Sequence, residues 1–312
     1  MVNTHDTKQT VVFIIAAYNS ERTICRAIYS SLEQVGIIPV VLVIDHGSND
    51  NTLKIIESNF NKDKRVTIIK LKRIKNEIRS ASRPLNTGFR HALDFPPIKK
   101  NFWILRLDSD DVLASKSVIK ELLKDNLSKD LISGLLIFYS LNPGQAFLYG
   151  TKTKFRTVNK LIAGGAYAVA HHSTLMKNSL LNQVLEDDGY IYSESLSYGE
   201  DLDLTLRLVK YCNNSEIVFM DNPIIYKFRG KSTITSDLDK TKIWQNHLVI
   251  FNKHKELSKI LLLRVGIDLC LRSNNLMIKM LRNLIGYPAM MVGFELPVNY
   301  SLVKNRITDF TK

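Results

Sequence analysis

Apolar runs of strand length alternate with helically periodic segments through the first third of the chain. Residues 11–17 form a β-rich apolar run. Tyr18, Asn19 and Ser20 follow it, and then a segment with Ile24, Ala27, Ile28, Ser31 and Leu32 on one helical face. The unit repeats. A strand over 39–44, a turn-rich loop over 45–50 and a helix over 52–60 starting from an Asn51 cap come next, then a strand over 66–71 and a helix over 79–93. A fourth strand, 102–107, ends in Asp108-Ser109-Asp110-Asp111. Strands that are apolar on both faces and separated by helices call for a mostly parallel sheet covered on both sides, an α/β fold of the Rossmann-like kind. In such sheets ligands bind beyond the carboxyl ends of the strands, so 17–19, 45–48 and 108–111 are expected to meet in space.

The second half is less regular. It holds a strand over 131–139, a basic loop-like stretch over 152–160, and a run over 161–175 that passes Gly164-Gly165 into His171-His172. A helix over 200–211 carries Leu202, Leu206 and Val209 on its inner face and acids in its first turn, as the helix dipole favours. The pattern divides into a main α/β domain over 1–235 and a C-terminal basic, amphipathic helical region over 236–312. In the latter, a helical wheel over 264–285 puts Arg264, Asp268, Arg272, Asn275, Lys279 and Arg282 on a narrow polar stripe. Two readings stand: a helix packed on the main domain with a solvated stripe, or a peripheral contact of 253–285 with an anionic membrane.

With 312 residues the chain can bury a full core, and 45% apolar against 23% charged residues is a globular balance. The net charge of +13 admits nucleic acid, an anionic membrane or a phosphorylated small molecule as partner. The lysines are scattered without interleaved aromatics, which argues against a nucleic-acid surface. Cys25, Cys212 and Cys270 lack metal-ligand spacing and read as buried free thiols. A polar start without an apolar leader, and no run of about 18 apolar residues, lead to the expectation of a cytoplasmic protein, peripheral on the inner face of the plasma membrane if 253–285 binds there.

Three carboxylates at the end of an apolar strand repel one another and call for a hard cation with oxygen ligands, Mn2+ or Mg2+. The bland alternative is an acidic loop that caps a following helix at Ser115. Gly199-Glu200-Asp201 opens a helix far down the chain. Its acids either supply a base for an acceptor hydroxyl or only stabilise the helix N-terminus, worth about 0.3 to 1 kcal/mol.

Taken together, Ile15-Ala16-Ala17-Tyr18-Asn19, Val43-Ile44-Asp45-His46-Gly47-Ser48-Asn49-Asp50, Arg83-Pro84-Leu85-Asn86-Thr87-Gly88, Leu107-Asp108-Ser109-Asp110-Asp111, His172-Ser173, Gly189-Tyr190 and Gly199-Glu200-Asp201-Leu202-Asp203-Leu204 resemble, in order and spacing, the inverting family 2 glycosyltransferases of GT-A fold. The likeness covers about residues 10–235. It implies transfer of a single sugar from a nucleotide-diphosphate donor, UDP-linked by preference, to a hydroxyl of a glycan or lipid-linked glycan in surface-polysaccharide synthesis. It also implies that Ala17, Tyr18, Asn19, Asp45, Arg83, Asp108 and Ser109 line the nucleotide, and that Asp110 is the main metal ligand with Asp108 and Asp111 close by. Asp201 would be the base, Glu200 would hold the acceptor, and His172 would face the acceptor side.

His46 stands where the family has a second acid, and Pro84-Leu85 interrupt the basic donor block. No Gln-x-x-Arg-Trp element follows Asp201, which argues for addition of single residues over processive synthesis. Nucleotidyl transfer on the same fold, and nucleic-acid binding through the basic charge, are the competing functions.

Overall fold

The computed structural model of the chain describes residues 8–75, 77–78, 80–94, 101–140, 145–150, 171–212, 216–228, 240–254 and 294–298. In chain order the elements are β1 (Gln9–Ala17), α1 (Ile24–Leu32), β2 (Ile37–Asp45), α2 (Thr52–Phe60), β3 (Val66–Lys70), α3 (Ser82–Asp94), β4 (Trp103–Asp108), β5 (Val112–Leu113) and α4 (Val118–Leu123). There follow β6 (Leu131–Ser140), β7 (Gln145–Gly150), a 3-10 turn (His171–Ser173), β8 (Thr174–Lys177), α5 (Asn178–Asp188), α6 (Glu200–Tyr211), β9 (Ile217–Phe228), α7 (Lys240–Lys253) and β10 (Phe294–Val298).

The sheet is ordered β10-β7-β6-β8-β4-β1-β2-β3. Its β4-β1-β2-β3 half is parallel, as expected from the buried apolar strands. The other half is mixed: β8 runs antiparallel to β4, and β6 pairs antiparallel with β8 and β7 and parallel with β9. Alternation along β1 builds the two layers. Val11, Phe13 and Ile15 meet Ile28 of α1, Ile56 of α2 and Ile119 of α4 on one face. Val12 and Ile14 meet Leu85 and Phe89 of α3, Leu181 of α5 and Leu204 of α6 on the other. Burial of each such side chain contributes about 1.5 to 3 kcal/mol, which is why these strands carry no polar face.

Glycine is required where α3 lies on the sheet: a Cβ at Gly88 would stand 2.6 Å from both Ile14 Cγ2 and Ile44 Cδ1.

Several boundaries differ from expectation for local reasons. Helix α3 begins at Ser82, not at residue 79. Asn51 makes no side-chain cap to α2. Asp50 does that work, accepting from the Thr52 amide at 3.0 Å and the Thr52 hydroxyl at 2.5 Å. The fourth strand is not wholly apolar, because buried Arg106 interrupts it. Cys212 is buried and free as expected, whereas Cys25 is half-buried. The expectations for 152–160 and 264–285, and for Cys270, lie outside the described residues. The C-terminal segment adds a strand that periodicity did not reveal, since β10 pairs antiparallel with β7.

Candidate active site

The parallel register sets the floor of the site. Ala17 pairs with Asp45 on one side of β1 and Ala16 with Asp108 on the other, so the loops after β1, β2 and β4 open at one sheet edge. Asn19, in the left-handed region at φ 50°, ties two of them together. Its amide donates to Ser48 Oγ at 3.0 Å, and its Oδ1 accepts from the Asn49 amide at 2.8 Å. Ser48 Oγ in turn donates to the Asp45 carboxylate at 2.5 Å. The third loop joins through Ser20 and Ser109, whose hydroxyls lie 2.8 Å apart.

Ala17 is buried at the end of β1, and its carbonyl accepts from the His46 amide at 2.8 Å. Tyr18 is 41% exposed, with the Arg73 guanidinium 4.4 Å from its ring centroid. His46 brings a carboxylate of its own to the loop: its Nε2 lies 3.1 Å from Glu77. Burial lowers the His46 pKa against the raising influence of Glu77. Arg83 turns to this pair, donating to Glu77 at 3.2 Å and to the Lys72 carbonyl at 2.9 Å.

Beyond β4, Asp108, Asp110 and Asp111 each offer an oxygen within 4.8 Å of the others. The short strand β5 follows, and the next helix starts only at Val118, so these acids do not serve as a helix cap at Ser115. A cluster of oxygen donors alone suits Mn2+ or Mg2+. The structure also contains an internal cation. Lys227 Nζ of β9 lies 2.7 Å from Asp108 Oδ2 and 3.0 Å from Asp111 Oδ2.

Burial pushes the Asp108 carboxyl up, but His172, Lys227 and Arg106 outweigh it and hold it well below the usual carboxylate range. Asp111, fully buried beside two other acids, is pushed up to about 8 despite Lys227. Burial also raises Asp110.

Arg106 joins the acids after β4 to those that open α6. Its Nε lies 3.2 Å from Asp108 Oδ1 and its Nη1 3.8 Å from Glu200 Oε1. Burial alone would lower its pKa, yet the charges of Asp108, Glu200 and Asp201 raise it overall. Burial and the neighbouring Asp201 push Glu200 up to about 7. Asp201 Oδ1 accepts from the Leu202 amide at 2.8 Å, and its carbonyl accepts from Thr205 Oγ1 at 2.8 Å.

The 3-10 turn connects the same two regions. His172 Nε2 lies 3.0 Å from Asp108, while His171 sits between Tyr192 Oη at 3.0 Å and Thr205 Oγ1 at 2.9 Å. Burial lowers both histidines, His171 to about 3 and His172 to about 4, so both are neutral at pH 7.

Asn86 of α3 holds the segment that carries Tyr192. It donates to the Tyr192 carbonyl and accepts from the Tyr192 amide, both at 2.8 Å. Helix α7 closes the far side of α6: Lys253 Nζ and His254 Nε2 lie 3.1 and 3.0 Å from buried Asp203 Oδ1. Lys253, included among the basic residues of the membrane reading, is therefore committed to an internal acid.

Sequence reasoning missed Arg106, Lys227, Tyr192 and Glu77. A lone arginine inside an apolar strand was the available signal for the first. Lys227 and Glu77 are ordinary surface types in sequence: pairing of β9 brings the lysine to the acids, and the loop between β3 and α3 brings Glu77 to the histidine.

The profile of "Glycosyl transferase family 2" matches residues 12–185, more than half of the chain. The chondroitin synthase of Escherichia coli is 30% identical over 250 residues, covering 78% of this chain and 32% of that protein. The chondroitin synthase of Pasteurella multocida (strain Pm70) is 28% identical over 249 residues, 78% of this chain and 23% of its own. The chain thus spans about a third or less of these relatives. Among solved structures, S. aureus TarS 1-349 in complex with UDP-GlcNAc superposes with TM-score 0.57 at 18% identity, over 86% of this chain and 68% of that one. The mannosyltransferase PcManGT from Pyrobaculum calidifontis, in complex with GDP-Man and Mn2+, gives TM-score 0.53 at 12% identity, over 98% and 86%. Loops converging on one sheet edge, an acidic triad after β4 and a profile match across the whole parallel half have one common account: the chain belongs to glycosyl transferase family 2 and has the GT-A fold.

Proposed function

We propose that the protein transfers a single sugar, with inversion, from a UDP-linked donor to a hydroxyl of a glycan or glycolipid acceptor during surface-polysaccharide synthesis. The observation that carries this reading is the convergence of Asp108 with Glu200 and Asp201 around one buried arginine, Arg106. Acids more than ninety positions apart thereby flank a common space, as donor activation and acceptor deprotonation require.

Asp201 takes the acceptor proton, the acceptor oxygen bonds to the anomeric carbon, and the bond from that carbon to the phosphate oxygen breaks to release nucleoside diphosphate. Glu200 orients the acceptor hydroxyl. The loops of Tyr18, Asn19 and Asp45 hold the nucleotide, with Arg73 stacked on Tyr18. Asp110, with Asp108 and Asp111, would hold a divalent cation, which would supply charge neutralisation for the leaving diphosphate. Relatives that are chondroitin synthases and a structural neighbour bound to UDP-GlcNAc support a UDP-sugar and a polysaccharide acceptor.

Among the described residues no helix is long and apolar enough to cross a membrane. We place the enzyme at the cytoplasmic face of the membrane, where the basic residues beyond Lys253 would meet anionic lipid.

Thermal-shift screening of nucleotide sugars with and without Mn2+ tests the donor, since a ligand bound only by the folded state raises the melting temperature. Product analysis then tests the reaction. Release of nucleoside diphosphate is the expected result, and release of pyrophosphate would instead mean nucleotidyl transfer.

A further inference from the structure

Lys227 occupies the penultimate position of β9, and the ladder fixes where it lies. Tyr226 pairs with Val112 of β5, directly after the acidic loop, and Lys227 itself is in register with Phe138 of β6. The strand reaches that register through shifts around Gly134, a position where a Cβ would stand 2.8 Å from the Asn222 carbonyl oxygen. The ammonium that results is shared by Asp108 Oδ2 at 2.7 Å and Asp111 Oδ2 at 3.0 Å. Mg2+ or Mn2+ needs its ligand oxygens at about 2.1 Å. An ammonium within 3.0 Å of two of the three acids engages oxygens such an ion would need and repels it at close range.

We propose that Lys227 is a built-in rival of the divalent cation: it holds Asp108 and Asp111 while no metal is bound, and metal entry releases its ammonium to the diphosphate of the donor. The inference rests on the metal-assisted reading of the site given above. Two consequences follow from charge alone. The acids need no metal in order to stay folded, because an internal cation already pairs two of them. Metal binding is weak until a diphosphate arrives to receive the displaced ammonium, so Mn2+ and nucleotide bind with positive coupling.

The test is Mn2+ binding by the full chain, read from the electron paramagnetic resonance of free Mn2+, for wild type and Lys227→Met, without nucleotide and with UDP. The expected result is Mn2+ binding about tenfold tighter in Lys227→Met without UDP, and a gain in Mn2+ affinity on adding UDP that is larger in wild type than in the variant. A second measurement uses wild type alone and is independent of how the variant folds. Acetylation with acetic anhydride, followed by mass spectrometry of the peptide containing Lys227, should rise several-fold on adding Mn2+ without nucleotide and fall again with UDP. Equal Mn2+ affinities, or labelling of Lys227 indifferent to Mn2+, would overturn the role of Lys227 while leaving the metal reading intact. No Mn2+ binding by either protein, with or without UDP, would overturn both.

Discussion

Asp201 is half-buried at the start of α6, and the Leu202 amide at 2.8 Å orients its carboxylate. Asparagine keeps that shape and loses the basicity. In Asp201→Asn, turnover should fall by about a hundred- to ten-thousand-fold, with the melting temperature and donor affinity unchanged; wild-type turnover would remove Asp201 from its assigned role. Asp110 is raised by burial and neighbours two other acids. Calorimetric titration of Asp110→Asn with a UDP-sugar should show donor binding that no longer responds to Mn2+, whereas wild type responds. The same scale shows what composition hid: Arg106 is a single charge in a strand of apolar residues, and burying it is tolerated because Asp108 and Glu200 flank it.

At the scale of elements, α3 ties the parallel half of the sheet to the segment that carries Tyr192. Its inner face lies on Ile14 and Ile44 through Gly88, and two residues earlier Asn86 clasps the backbone of Tyr192. A methyl at Gly88 has no room, because the atoms it would meet belong to branched side chains already packed in the core. Gly88→Ala should cost about 1 to 3 kcal/mol, seen as a melting temperature lower by several degrees in calorimetry. A variant that melts with wild type would mean that α3 shifts freely on the sheet. The block from Arg83 to Gly88 was recognisable in sequence as belonging to the family, and its contacts divide along the helix. The arginine faces Glu77 and the Lys72 carbonyl, while the glycine and asparagine do the positioning.

For the whole molecule, the docking of α7 on α6 centres on Asp203. Burial raises its carboxyl, but the His254 hydrogen bond and the charges of Arg207 and Lys253 prevail and lower it to about 2. An unfolded aspartate titrates near 3.9, about two units higher. The ionised form is therefore favoured by folding, and its contribution is present above about pH 4 and lost as pH falls toward about 2. Melting temperatures of wild type and Asp203→Asn should differ most at neutral pH, by the equivalent of about 2 to 3 kcal/mol, and converge in acid. A gap that stayed constant down to pH about 2 would show that Asp203 does not titrate against its partners.

Continuous apolar runs between helical segments by themselves determined the parallel half of the sheet, because strands buried on both faces carry that pattern. The apolar pattern of the chain also determined the helix over 200–211, whose 3.6-residue period and acidic first turn agree, and the meeting of three loops at one sheet edge, which follows from parallel connection. The mixed half was decided only in three dimensions. The strands β6, β8, β9 and β10 are chosen by partners distant in sequence, and Gly134 permits a register shift that no local preference announces. The counter-charges were decided there too. A carboxylate triad calls for positive charge wherever it occurs, but that Lys227 and Arg106 supply it depends on strands β9 and β4 ending beside the acids, and Coulomb attraction acts on distance in space rather than on position along the chain.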